Sequence, residues 1–94
     1  MTYELAFKAS ALKEWARLDA TVRGQFKKKL AERLENPRVE SARLSLLKDC
    51  YKIKLTGLGY RLVYQVEDNI VTVTVIAVGK RERGAVYRKA HERL

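Results

Sequence analysis

The sequence is poor in the residues that build metal sites, disulfides and histidine-based active centres. Of its 94 residues one is cysteine, one is histidine and one is proline. A lone Cys50 makes no internal disulfide, and with His91 as the sole histidine there is no Cys/His cluster of zinc-site spacing. The expectation is a chain suited to a reducing cytosol that needs no metal and no cofactor. Residues 1 to 20 carry Glu4, Lys8, Lys13, Glu14, Arg17 and Asp19, so they contain no apolar stretch of signal-peptide length. The longest apolar-rich run, Ile70 to Val78, is too short to span a bilayer and reads as an interior strand. Acidic side chains are also scarce: 11 Asp and Glu stand against 20 Lys and Arg, a net charge of +9. That imbalance favours a polyanionic partner, nucleic acid foremost. An anionic membrane surface fits less well, because no segment pairs a wholly basic helix face with a bulky aromatic one. The length fits one domain with a modest core, residues 1–94, without repeats, low-complexity tracts or linkers.

What is present is organised around Tyr51 to Val66. Tyr51, Ile53 and Leu55 alternate with Lys52 and Lys54, the period-2 pattern of a strand with one buried and one wet face. Thr56-Gly57-Leu58-Gly59 supplies a turn. Pairing Leu55 with Tyr60 places Lys54 opposite Arg61, Ile53 opposite Leu62, Lys52 opposite Val63 and Tyr51 opposite Tyr64. Asp68-Asn69 is then expected as a two-residue turn that pairs Glu67 with Ile70. Continuing that ladder sets Val71, Val73 and Val75 beside Val66, Tyr64 and Leu62, and puts Thr72, Thr74 and Ile76 on the face of Gln65, Val63 and Arg61. Lys52, Lys54 and Arg61 thereby share one face, although like charges directly across a ladder destabilise it. A sheet that keeps them there is expected to meet an anion. Tyr60 and Tyr64 have core-side parity and read as packing, not as platforms for stacked bases.

Around this hairpin, Tyr3 to Phe7 alternates as a first strand. Ser10 is expected to cap a helix whose apolar side is Leu12, Trp15, Ala16 and Leu18. Asp19 or Thr21 opens a second helix with the stripe Val22, Phe26, Leu30 and Leu34, and Asn36-Pro37 stops it. Both helices are expected on the apolar face of the sheet. Lys27-Lys28-Lys29 lie about 100° apart around the second helix and read as a solvated face. Arg38 to Asp49 is a weakly patterned connector. Gly79 closes the last strand, Arg81 follows just beyond its end, and Ala85 to Leu94 reads as a terminal helix carrying Tyr87 and His91. On the residues alone, Lys52 and Lys54 fit a solvated strand face as well as an anion site. Arg81 within KRER fits a solvated charge run, and Tyr87 an anchor for the terminal helix.

LKEW (Leu12 to Trp15), the basic second helix ending in Asn36-Pro37-Arg38, DCYKIKL (Asp49 to Leu55), GYRLVYQV (Gly59 to Val66), VGKRER (Val78 to Arg83) and Val86-Tyr87 together resemble the RelE branch of the RelE/ParE toxin superfamily, over essentially the whole chain. The resemblance implies an α+β fold: a small antiparallel-dominated sheet with two N-terminal helices packed on one face and a short C-terminal helix. It implies the toxin of a type II toxin–antitoxin pair, a ribosome-dependent endoribonuclease that cuts messenger RNA codons in the ribosomal aminoacyl site. The implied catalytic residues are Lys52, Lys54, Arg61, Arg81 and Tyr87, with Lys80 and Arg83 as RNA contacts. The implied partners are a RelB-like antitoxin with an extended acidic segment, in a toxin–antitoxin hetero-oligomer, and the ribosome's small-subunit aminoacyl site with its 16S rRNA and mRNA. No membrane is implied, and the setting is the bacterial cytoplasm. Cleavage by the RNA's own 2′-hydroxyl needs a base, cations for the phosphorane and stabilisation of the leaving 5′-oxygen. By the resemblance Tyr87 is the base and Arg81 serves the leaving group, while Lys52, Lys54 and Arg61 supply the cations. An Arg scarcely releases its proton, so charge stabilisation is the role expected of Arg81. The chain departs from the pattern at Leu44-Ser45-Leu46-Leu47-Lys48, which lacks the basic residue and glycine expected after Leu44. A ParE-like toxin that poisons DNA gyrase and a non-catalytic basic module for RNA or DNA are the alternatives.

Overall fold

The computed structural model describes residues 2–82 and 84–94. In chain order the elements are β1 (Glu4–Phe7), α1 (Ala9–Ala16), α2 (Ala20–Glu35), β2 (Cys50–Leu55), β3 (Tyr60–Glu67), β4 (Thr72–Lys80) and α3 (Ala85–Arg93). The strands form an open mixed sheet in the order β1-β4-β3-β2, antiparallel except for the parallel β1–β4 pair. The architecture is the expected α+β one.

Asp19 caps α2 by accepting from the Val22 backbone N–H at 2.9 Å, which satisfies one of the helix's unpaired donors. Val22, Phe26 and Leu30 are buried and Leu34 packs against the same core. The helix ends at Glu35 with Asn36 as its C-cap, before Pro37. Helix α1 starts earlier than its sequence indicates: Lys8 is the N-cap, no side chain caps it, and Ser10 lies within the helix. Its packed positions also differ, for Ala11 is fully buried whereas Leu12 is 51% exposed. The aromatic chain Phe7, Trp15 and Phe26, with centroids 5.2 and 6.3 Å apart, joins β1, α1 and α2.

The β2–β3 register is the one expected, from Leu55 opposite Tyr60 to Tyr51 opposite Tyr64. The next hairpin is not. Asp68–Ile70 is a 3₁₀ turn, and Val71 follows in the left-handed region at φ 49°. Glu67 therefore pairs with Thr72, and Val66 with Val73. A register shift between Tyr64 and Val63 then adds one residue: Tyr64 faces Val75, but Val63 faces Ala77 and Arg61 faces Gly79. A bulge of this kind flips the parity of the strand beyond it. Val73, Val75 and Val78 consequently enter the core beneath α1 and α2, while Ile76 and Ala77 both turn to the other face.

That other face is partly covered. Leu47, Cys50, Val63, Ile76 and Ala77 pack with Val86 and Ala90 of α3 in a second cluster. Behind β2 and β3, the fully buried Tyr64 donates its hydroxyl to the Pro37 carbonyl at 2.6 Å and accepts from Arg33 at 2.9 Å. Arg33 also donates to the Lys52 carbonyl at 3.0 Å. Because buried polar atoms are costly unless paired, these bonds hold the backbone behind the basic face in one geometry.

Candidate active site

Three local features converge at the end of the sheet. The β2–β3 ladder puts Lys54 opposite Arg61. The turn between those strands ends in Gly59 at φ 72°, a left-handed conformation that glycine adopts at little cost, and the Gly59 carbonyl accepts from the Arg81 backbone N–H at 2.7 Å. Gly84, also left-handed at φ 76°, turns the chain into α3 and brings Tyr87 back over the sheet.

Arg61 is the centre of the arrangement. Its Nη1 donates to the Tyr87 hydroxyl oxygen at 2.9 Å, and its guanidinium carbon lies 5.8 Å from the centroid of that ring. Arg61, Lys80, Arg81 and Tyr87 line a cleft of about 390 Å³. A smaller one of about 190 Å³ is lined by Lys54, Arg61 and Arg81 beside the turn. Arg61 and Arg81 thus border both. Lys52 lines neither: it sits half-buried one pleat along β2 from Lys54, opposite Val63. Of the expected catalytic residues, four border the joined clefts and Lys52 flanks them. Lys80 is exposed at the end of β4. Arg83 lies outside the described residues.

The charge there is uncompensated. Among the described residues no carboxylate pairs with Lys52, Lys54, Arg61 or Arg81, and the ion pairs lie elsewhere, on Arg38, Arg43, Lys89 and Arg93. Glu82, exposed at the rim of the larger cleft, is its one acidic lining residue. Clustered cations left unneutralised are an arrangement able to stabilise the charge of a phosphate group. Cys50 contributes no nucleophile, since burial, with Asp49 nearby, pushes its thiol up to about 11. Among the described residues no group of three or more His, Cys, Asp or Glu is placed to hold a metal ion.

Tyr87 also borders an apolar groove of about 710 Å³ with Leu44, Leu46, Leu47 and His91, in which Leu46 is 89% exposed. The segment that lacks the expected basic residue is therefore a hydrophobic wall beside the clefts. One side chain went unread in the sequence. Glu14, flanked by Lys13 and Trp15 on α1, looks like an ordinary exposed helix residue, yet it binds Lys89, Arg93 and the Val78 backbone N–H. No periodicity signals this, since its partners lie more than sixty residues away.

A family model described as the ParE toxin of the type II toxin–antitoxin system parDE matches residues 5–84. The mRNA interferase toxin RelE of Escherichia coli (strain K12) is 58% identical over 94 residues, spanning 100% of this chain and 99% of that protein. The free state of an E. coli RelE toxin with two arginine-to-alanine substitutions has a TM-score of 0.92 at 56% identity, covering 100% of this chain and 99% of that one. The same mutant toxin in complex with an antitoxin RelB peptide gives 0.84, with the same identity and coverage.

Proposed function

The chain belongs to the RelE branch of the RelE/ParE family, the mRNA interferase toxins of type II toxin–antitoxin systems, and from that premise we propose that it cuts messenger RNA within the codon exposed in the ribosomal aminoacyl site. The 2′-hydroxyl of one nucleotide attacks the adjacent phosphorus and the P–O5′ bond breaks. The products are a 2′,3′-cyclic phosphate and a 5′-hydroxyl. Tyr87, as phenolate, takes the 2′-hydroxyl proton, Arg61 and Lys54 hold the phosphorane's oxygens, and Arg81 stabilises the leaving 5′-oxygen, which takes its proton from water. Lys52 adds positive potential from the flank. Lys80 and Arg83 are assigned to RNA strand contacts. The whole chain, residues 1–94, acts as one domain.

The observation that carries this reading is the 2.9 Å hydrogen bond from Arg61 to the Tyr87 oxygen at the mouth of an unneutralised basic cleft. Arg33 makes the same contact to Tyr64, but in the buried core, whereas Arg61 and Tyr87 meet at an open cleft that a substrate can enter. The high identity to an mRNA interferase favours RNA cleavage over a ParE-like action on gyrase. With no histidine at the site, general acid–base power is weak, and a ribosome that fixes the substrate geometry supplies what the side chains lack. The partner that neutralises the toxin is a RelB-type antitoxin, as in the related complex. Its extended acidic segment would meet the basic face in a hetero-oligomer, and the site of action is the bacterial cytoplasm.

Tyr87→Phe tests the assignment. The variant should fold normally and cut mRNA on programmed ribosomes more slowly by roughly a hundredfold to ten-thousandfold, the usual contribution of a positioned acid or base. Cutting at the wild-type rate would remove Tyr87 from the chemistry.

A further inference from the structure

Helix α3 brings Tyr87 to Arg61 from a small apolar seat. It has nine residues, too few for a helix that is stable alone, and no side chain caps its N-terminus. Val86 and Ala90 are its only buried side chains. Against that small apolar contact stands a polar one centred on α1. Arg93 donates to both carboxylate oxygens of Glu14, at 2.8 and 3.2 Å, and to the Ile76 carbonyl at 2.8 Å. Lys89 reaches Glu14 Oε2 at 3.1 Å, and the Val78 backbone N–H donates to Oε1 at 3.2 Å. The Glu14 side chain is only 14% exposed. One carboxylate thus joins α1, β4 and α3.

The helical geometry gives this junction a direction. At about 100° per residue, Val86 and Ala90 form the seated stripe, with Lys89 and Arg93 towards one flank and Tyr87 on the other. A contact on the Lys89 and Arg93 flank therefore fixes the roll of the helix about its seat, and the roll decides whether the Tyr87 hydroxyl meets Arg61. We propose that Glu14 is a positioning residue for RNA cleavage: by clamping Arg93 and Lys89 it sets the orientation of α3 and keeps the Tyr87 oxygen on Arg61. This rests on the reading of Tyr87 as a catalytic group. Glu14 itself lines neither of the clefts that would take the RNA and acts only through the helix.

The test is single-turnover cleavage on mRNA-programmed ribosomes at saturating toxin, using Glu14→Ala, Glu14→Gln, Tyr87→Phe and the Glu14→Ala/Tyr87→Phe double variant. Amide exchange is followed alongside in α3 and in the sheet. Glu14→Ala should slow cleavage by about tenfold or more, as misplacement of a reacting group does. The toxin concentration giving half-saturation should stay unchanged, and exchange should quicken in α3 while the sheet stays protected. Glu14→Gln should recover most of the rate, because its amide oxygen still accepts from Arg93 and from the Val78 N–H. The double variant should be no slower than Tyr87→Phe, the non-additivity of two residues that act as one unit. An equal slowing by Glu14→Ala with and without the Tyr87 hydroxyl would overturn the proposal and leave Glu14 a plain stabilising residue, as would an unchanged rate in Glu14→Ala. Normal cleavage by Tyr87→Phe would instead defeat the catalytic reading itself. If Glu14→Ala does not fold, Arg93→Gln breaks the clamp from the α3 side, and the same comparison decides.

Discussion

Lys54 and Arg61 stand directly opposite each other with no carboxylate among the described residues to share, a pairing that costs folded-state stability. Their backbone is nevertheless held firmly, by the ladder in front and by the Arg33–Tyr64–Pro37 bonds behind. On the proposed catalytic reading, stability is given up locally for a fixed electrostatic field, a trade that a merely soluble strand face would not need. Replacing Lys52 and Lys54 together by Ala should therefore leave the melting temperature equal or higher, since the relieved repulsion is worth at most about 1 kcal/mol. Cleavage should fall on the order of a hundredfold or more, the loss that follows removal of a single preorganised electrostatic contact. A double variant that melts early and still cuts normally would make these lysines structural. These residues were legible in the sequence because alternation and a short turn determine which side chains share a face. Glu14 was not legible, because a carboxylate's partners are set by tertiary packing, which local pattern does not encode.

At the scale of elements, the β2–β3 hairpin could be read from the sequence residue by residue, whereas the β3–β4 hairpin could not. An Asp-Asn pair between two strand-like stretches invites a two-residue turn, but the chain uses a 3₁₀ turn and a left-handed Val71. The turn moves the register by two residues and the bulge at Ile76 by one more, so that Gly79 lies beside Arg61 in place of Ile76. The unbroken apolar run Val75 to Val78 was the available signal, since such a run reads as a strand covered on both faces, and all four residues are buried. The cover is α3, and its seat depends on a titratable group. Burial alone would raise the Glu14 pKa, but hydrogen bonds from Arg93, the Val78 N–H and Lys89 outweigh it and leave it below the ordinary glutamate value. A carboxylate with a depressed folded-state pKa contributes stability above its unfolded value of about 4.5, and that contribution is lost as pH falls through the folded value. Helix α3 should hence loosen below pH 4.5 while Lys89 and Arg93 stay charged. Amide exchange corrected for intrinsic rates, compared at about pH 6 and about pH 3.5, should show lost protection in α3 for the wild type. Glu14→Gln should show no such pH step in α3. An identical acid response in both proteins would assign it to other carboxylates, such as Asp68, whose pKa is lowered by hydrogen bonds from Tyr3 and Arg38.

At the scale of the molecule, the net charge of +9 draws the protein to RNA without choosing a sequence. Selectivity must then come from where the substrate is presented. Among the described residues no helix is long and apolar enough to cross a membrane, and the basic clefts at the end of the sheet are open to a strand held by a larger body. A small cleft without histidine, with its cations fixed in place, makes a poor nuclease on a flexible strand and a competent one on a strand already bent for attack. The measurement that bears most directly on this account is the mapping of new RNA ends on one messenger, free in solution and held on ribosomes, with the wild-type protein and with Tyr87→Phe. Cuts should appear at a fixed position within the codon exposed in the aminoacyl site of the ribosome-bound messenger, carrying 2′,3′-cyclic phosphate and 5′-hydroxyl ends. Few cuts should appear on the free RNA, and few with Tyr87→Phe on either. Equal cutting of free and ribosome-bound RNA, 5′-phosphate ends, or wild-type cutting by Tyr87→Phe would contradict it.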